Sequence, residues 1–477
     1  MFRAMNVFTR LALCVGCLAL SAVGCLDPMD ASQPAVVIEQ GDDPTSAPGE
    51  LTTASAEGQG RLSTGGVSPS PVDDTPSEPA TPDRPDEPVV PVPDPVDILD
   101  PAQFIAHEWG TFVSMVTPGG QILEGMHHAE EPLPPFVHSR CSDVPWCADW
   151  QSKLMDILPE PVTQKLETPV IYFYSAEPRE VTVDVSFPQG IISEWFPDAT
   201  AMQPIVGGPA FEIANGAMTW TVDVDPAIDL DTAPWVPEDH IWAPSRDVAA
   251  TPIAFGDETE SFIFYRGLGR FQTPLNVTND GTTISLGFKC GPAIPSAWLL
   301  HVRDGVAAIS SVGSVTGGTP TKALIPVPDM DMATFLPHAK AMVAQGLEAD
   351  GLFADEAWAM VNTWERSYFK TEGLRVLYVL PRQWTDELLP ISVDPIPDEL
   401  VRTLVGRVEA LTPGDVDDMV QRVEGWHDAP ETAAELTEMP RFAEPRLRAA
   451  CKEMESSDSP LVSWCESLIA TVYDLNL

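Results

Sequence analysis

Residues 26–100 set the outer limit on any fold. The stretch "SPSPVDDTPSEPATPDRPDEPVVPVPDPVD" within them is dominated by Pro, Ser, Thr, Asp and Glu, and the whole segment contains no Phe, Trp or Tyr. A segment so poor in large apolar side chains cannot bury enough surface to offset the entropy of ordering. Its 75 residues would span about 50 Å as a flexible coil and at most about 230 Å as continuous polyproline II. The reading is a disordered acidic stalk over 25–100, and all thirteen tryptophans lie beyond it, in residues 101–477. Whatever folds here folds in that body.

Ahead of the stalk, Arg3 and Arg10 precede an apolar run from Leu11 to Val23 that falls short of the roughly 20 residues a membrane span needs. That pattern is an export signal over residues 1–24. Its end, Ala22-Val23-Gly24-Cys25, resembles the lipobox of bacterial lipoproteins, and the resemblance implies cleavage before Cys25 and acylation of that residue. An ordinary secretory signal with an incidental cysteine is the alternative. The expected address is the cell envelope, with the lipid anchor as the membrane partner.

The chain carries a formal net charge of −45. Removing residues 1–24 takes two arginines and no acids, leaving 24 bases against 71 acids. Nucleic acid is excluded as a partner on this ground, because affinity for phosphate backbones comes from clustered Lys and Arg. The acid excess also opposes peripheral binding to anionic lipid, and it serves solubility.

Up to about residue 325 the body reads as strands. "PVIYFYS", "REVTVDVSFPQG", "AMTWTVDVD", "SFIFYRGLG", "TISLGFKC" and "AWLLHVRDG" are short, rich in β-branched and aromatic residues, and separated by Pro, Gly and Asp. Val181, Val183 and Val185 alternate with Thr182, Asp184 and Ser186, as a strand with one wet face requires. From 326 to 477 apolar residues such as Ala357, Met360, Val361, Trp364 and Tyr368 fall at helical spacing. Thr412-Pro413 followed by Asp415 is a capped helix start, and Ser459-Pro460 repeats the device. "GLRVLYVLP" and "LPISVDP" add strands among these helices. The expected fold is α+β: an antiparallel, sandwich-like β-rich domain over 101–325, then a helix-rich mixed domain over 326–477.

Export predicts disulfides. With Cys14 and Cys17 lost in the signal and Cys25 acylated, spacing pairs Cys141 with Cys147 and Cys451 with Cys465. Cys290, at the end of a strand, is left over as a buried thiol.

For chemistry the informative stretch is "FIAHEWGTFVSMV" (104–116). As a strand it puts Ile105, His107, Trp109, Thr111, Val113 and Met115 on one face and Glu108 and Gly110 on the other. His107 and Glu108 then point apart. Thr111 stands where a helical H-E-x-x-H zinc motif needs its second histidine. The structural reading makes His107 a hydrogen-bonded wall residue, with no cofactor. The alternative is a metal-dependent hydrolase: His107, His127, His128 and His138 fall within 32 residues that also hold Glu108, Glu124, Glu130 and Glu131, and zinc and related cations bind imidazole and carboxylate. The loop "EGMHHAEEPLPPFVH" would bring the later histidines to the strand. "GSVTGGTP" lacks the lysine of a phosphate loop and reads as a turn. "DVDPAIDLD" has calcium-type acids without the glycine or terminal glutamate of an EF-hand loop. The tryptophan content suits an envelope protein or carbohydrate partner.

The blocks "HEWGTF", "ETPVIYFYS", "FPQGIISEWFP", "AMVNTWERSYF", "LPISVDPIPDELVRTLVGRVEALTP" and "RFAEPRL" resemble a family of exported, lipid-anchored proteins of large-genome bacteria. The resemblance covers nearly all of 104–450 and implies the envelope address and one integral body. That family has no established activity, so it implies no catalytic residue or cofactor.

Overall fold

The computed structural model of the chain describes residues 103–126, 132–140, 162–204, 213–288, 291–438 and 442–472. The signal, the stalk, Cys25, His127, His128, Cys141, Cys147 and Cys290 lie outside the described residues. These described residues all belong to one compact unit, and its class is α+β.

The frame is an eleven-stranded sheet whose middle is occupied by Phe104–Val116, a strand buried along all 13 of its residues. It pairs parallel with Glu399–Ala410 and antiparallel with Val170–Ser175 and Gln164–Leu166. Beyond Glu399–Ala410 the sheet continues through Gly373–Val379, Ala297–Arg303 and Val306–Ser311. On the other flank it continues through Ile263–Gly269 and Gly190–Phe196 to His138–Ser139.

The change of pattern near residue 325 is therefore not a boundary between two bodies. Strands from both sides of it are hydrogen-bonded into one sheet, and the helices that begin at Met332 are added to that shared sheet. The large sheet is also mixed rather than purely antiparallel, because its two longest strands run parallel and are separated by nearly 300 residues of chain.

Side-chain alternation sorts the central strand into two cores. Ile105, Trp109, Val113 and Met115 pack with Phe335, Val343, Leu347, Met360 and Trp364 of the helical layer. Phe104, Ala106, Phe112 and Val116 pack instead with Val181, Val183, Val185, Trp220 and Val222. These last belong to a second, six-stranded sheet built on Arg179–Phe187 and Gly216–Val224. Arg179–Phe187 keeps the alternation read from its sequence, with Asp184 exposed between buried valines. Gly110 is required where it stands, since a Cβ there would lie 2.8 Å from Pro169 Cα.

The helices follow their sequence signals. Pro413–Asp428 starts with Thr412 Oγ1 accepting from Asp415 N, while Asp415 Oδ2 accepts from Thr412 N at 2.8 Å. Ala443–Ser456 and Val462–Val472 are joined by the Cys451–Cys465 disulfide, inside a small apolar cluster with Leu447, Met454, Val423 and Trp426.

Candidate functional site

His107 faces the helical layer, and its imidazole is 1 % exposed. Nδ1 lies 2.8 Å from Glu356 Oε2 and donates to it. The same carboxylate accepts from Tyr174 Oη at 2.8 Å through Oε1 and from the Phe353 N–H at 2.8 Å through Oε2. Glu356 sits in the first turn of the helix Ala354–Thr363, where a carboxylate satisfies a free backbone N–H and meets the positive end of the helix dipole. The rings of Phe353 and Tyr174 lie 4.5 and 5.3 Å from the imidazole. Burial, then the Glu356 charge, pushes the Tyr174 hydroxyl well above its ordinary pKa, so it stays a proton donor. His107 Nε2 is buried and has no hydrogen-bond partner among the described residues.

Glu108 points the other way. Tyr265 Oη donates to its Oε1 at 2.6 Å and Arg402 Nε to its Oε2 at 2.6 Å. Arg402 occupies the register position opposite Glu108 on the parallel strand, and its remaining nitrogens reach Asp386 Oδ1 at 2.8 Å and the Leu389 carbonyl at 2.6 Å.

Farther along the helix-facing side lies a second polar group. Tyr368 Oη donates to Glu167 Oε2, and the Arg407 guanidinium sits 4.1 Å above the Tyr368 ring. Arg407 Nη2 is 2.6 Å and Arg375 Nε 3.0 Å from Glu409 Oε1. Burial alone would raise the Glu409 carboxyl, but Arg375 and Arg407 hold it below the usual carboxylate range. Burial lowers the Arg375 guanidinium to about 10, with Glu409 opposing. Arg266 Nε donates to the Glu167 carbonyl at 3.0 Å, and Lys165 lies buried next to it in the sheet. Asp350, which ends the helix Met332–Ala349, accepts from Thr403 Oγ1 at 3.0 Å; burial pushes its carboxyl up to about 6.

The structure does not bring the two described candidate histidines together. His138 lies in the strand at the far edge of the sheet, stacked near Trp195 and Phe196, with Nε2 2.7 Å from Glu258 Oε1. Among the described residues no group of three or more His, Cys, Asp or Glu side chains could hold a metal ion. The acids of "DVDPAIDLD" serve their own turns: Asp225 Oδ1 accepts from Ala227 N and Asp229 Oδ1 from Asp231 N.

Chemically, the His107–Glu356–Tyr174 set has the wiring of an oriented base, since a carboxylate fixes the ring through Nδ1. It is nevertheless packed shut between aromatic rings. Sequence reasoning placed His107 on the correct face and missed every partner it has. The second group left a partly readable signal: charged residues inside otherwise apolar strands, as in "LVGRVEAL" and "GLRVLYVL", mark charge that must be buried and paired, whereas the polar "TQKLETP" gave no such sign. Comparison of the sequence with protein-family models and with curated proteins returns no match.

Proposed function

We propose that the chain is an exported protein of a bacterial cell envelope, acylated at Cys25, whose body binds or organises envelope components rather than turning over a substrate. The observation that carries the reading is the Cys451–Cys465 disulfide, built into the packing of two helices, because such bonds form and persist in oxidising compartments. No helix of the described residues is long and apolar enough to cross a membrane; in this reading attachment rests on Cys25.

The way the polar groups are used supports a binding role. Glu356 takes up His107 and Tyr174, and Glu108 is occupied by Arg402 and Tyr265, so these groups have partners before any substrate arrives. The two larger sheets, with a shared apolar core between them, are read as a sandwich-like scaffold. Trp235, 81 % exposed, and Trp358, 41 % exposed, offer aromatic surface to an envelope protein or a carbohydrate.

The test is Cys25→Ala. It should abolish labelling by a fatty-acid probe and release the protein from membranes, whereas unchanged labelling would overturn the anchor. Metal analysis of the purified protein tests the other half: stoichiometric zinc, manganese or iron would replace the binding reading with a metal-dependent hydrolase.

A further inference from the structure

A cavity of about 20 Å³ lies under the helical layer, lined by Lys165, Glu167, Thr168, Arg266, Trp364 and Tyr368 among others. Its floor comes from the sheet, where Gln164–Leu166 pairs with Ile263–Gly269. Its roof is the end of the helix Ala354–Thr363 and the π-helical turn Glu365–Phe369. Such turns are rare and concentrate at functional sites. Here the turn stacks Tyr368 on Trp364, with ring centres 4.9 Å apart and planes 14° from parallel, and Arg407 closes the far face of Tyr368.

Two polar atoms of the lining are buried and have no hydrogen-bond partner among the described residues: Trp364 Nε1 and Thr168 Oγ1. Trp364 as a whole is 1 % exposed. An indole N–H can only donate, and so can the ammonium of Lys165 and the guanidinium of Arg266. Glu167, the acid of the lining, already accepts from Tyr368. A water molecule would fit a volume of this size, but it brings two protons of its own to an unpartnered indole N–H that can only donate, flanked by two cationic side chains and by hydroxyls of Thr168, Thr363 and Ser367 that donate or accept. An occupant that only accepts matches the lining better.

We propose that this cavity binds a small anion, of the size of a halide ion or formate. The proposal deepens the binding reading of the body and is independent of the anchor: fatty-acid labelling reports on Cys25 alone, while the pocket is read at Trp364.

The experiment follows the indole N–H signals of the full chain, ¹⁵N-labelled at tryptophan and kept in detergent, by NMR. Sodium gluconate is replaced stepwise by chloride, bromide or formate at constant ionic strength. The Trp364 signal is assigned by its loss in Trp364→Phe or, should that variant not fold, by its perturbation in Thr168→Val. The expected result is a saturable shift of that signal with the small anions, absent with gluconate and unchanged when potassium replaces sodium. Chloride and formate titrated separately tell a halide site from a carboxylate site. Arg266→Gln should weaken binding about tenfold or more, as loss of a hydrogen bond to a charged group implies, and Thr168→Val should weaken it less. No saturable shift, or the same response in gluconate, would show that the cavity holds only water. An unchanged affinity in both variants would place the anion elsewhere. Either result overturns the proposal.

Discussion

The two faces of the central strand solve the same problem differently. Toward the second sheet, Glu108 is met at both oxygens by Tyr265 and Arg402, at 2.6 Å each. Toward the helices, His107 has one partner through Nδ1, and its Nε2 and the neighbouring Trp109 Nε1 are buried without one among the described residues. One face is a closed ion pair between two parallel strands. The other keeps unused polar capacity beneath helices, which can shift more easily than a strand held on both edges. For this strand the difference points to the helix side as the place for a ligand or an internal water, the side on which the proposed anion cavity also lies.

The largest effect should come from opening the closed face. Arg402→Met leaves Glu108 buried beside an apolar side chain, and breaking a buried pair in this way costs about 3–5 kcal/mol. Urea unfolding of Arg402→Met and of the double variant Glu108→Leu/Arg402→Met checks it. The double variant should be the more stable of the two, and a double variant worse than the single would mean that the pair is not the unit holding the strands.

Next in size is the Cys451–Cys465 bond, which lies off both faces and calibrates the comparison. Its sequence separation is 14 residues, and closing a loop of that length is worth about 3 kcal/mol in the chain-entropy model. Cys451→Ser/Cys465→Ser should lower stability by that amount. Peptide mapping without reduction should recover the two cysteines linked.

On the helix side, His107→Gln should cost about 1–3 kcal/mol, the usual penalty for disturbing a buried hydrogen bond, with no change in metal content. Loss of a bound metal in His107→Gln, with stability of the metal-free protein unchanged, would instead make His107 a ligand and the helix-facing side of the strand a metal site.

How much of this was legible in the sequence depends on the reach of each interaction. The alternation of Val181, Val183 and Val185, the Thr412–Asp415 cap and the Cys451–Cys465 pair are settled within a few residues or one turn, and all stand in the structure. The opposed directions of His107 and Glu108 follow from the two-residue period of any strand. The parallel pairing of Phe104–Val116 with Glu399–Ala410 was not legible. Both strands are buried on two faces and show no clean alternation to set their register, so the Glu108–Arg402 match, 294 residues apart, is decided by tertiary packing. Glu356 escaped for the same reason: its helix start announces a cap, and nothing local says that the cap will also hold a histidine 249 residues earlier.

The smallest expected effect sharpens the comparison through pH. Asp350 is on the helix side, bonded to Thr403, which stands opposite Trp109 in register, and burial raises its carboxyl to about 6 from an ordinary 3.8. A carboxyl raised on folding binds its proton more tightly in the folded chain than in the unfolded one. Its contribution to stability is therefore greatest below the unfolded value and is lost as pH rises through about 6. Two pKa units correspond to about 2.7 kcal/mol; for a group still partly in contact with water, about 1–2 kcal/mol is the reasonable expectation. Asp350→Asn keeps an acceptor for Thr403 and removes the titration. Compared with the parent, the variant should gain that amount at pH 7 and little or nothing at pH 4, read as the difference between the two urea-unfolding curves at each pH. An equal difference at both pH values would mean that Asp350 ionises as freely as a surface acid, and that the helix side is more open to water than its packing shows.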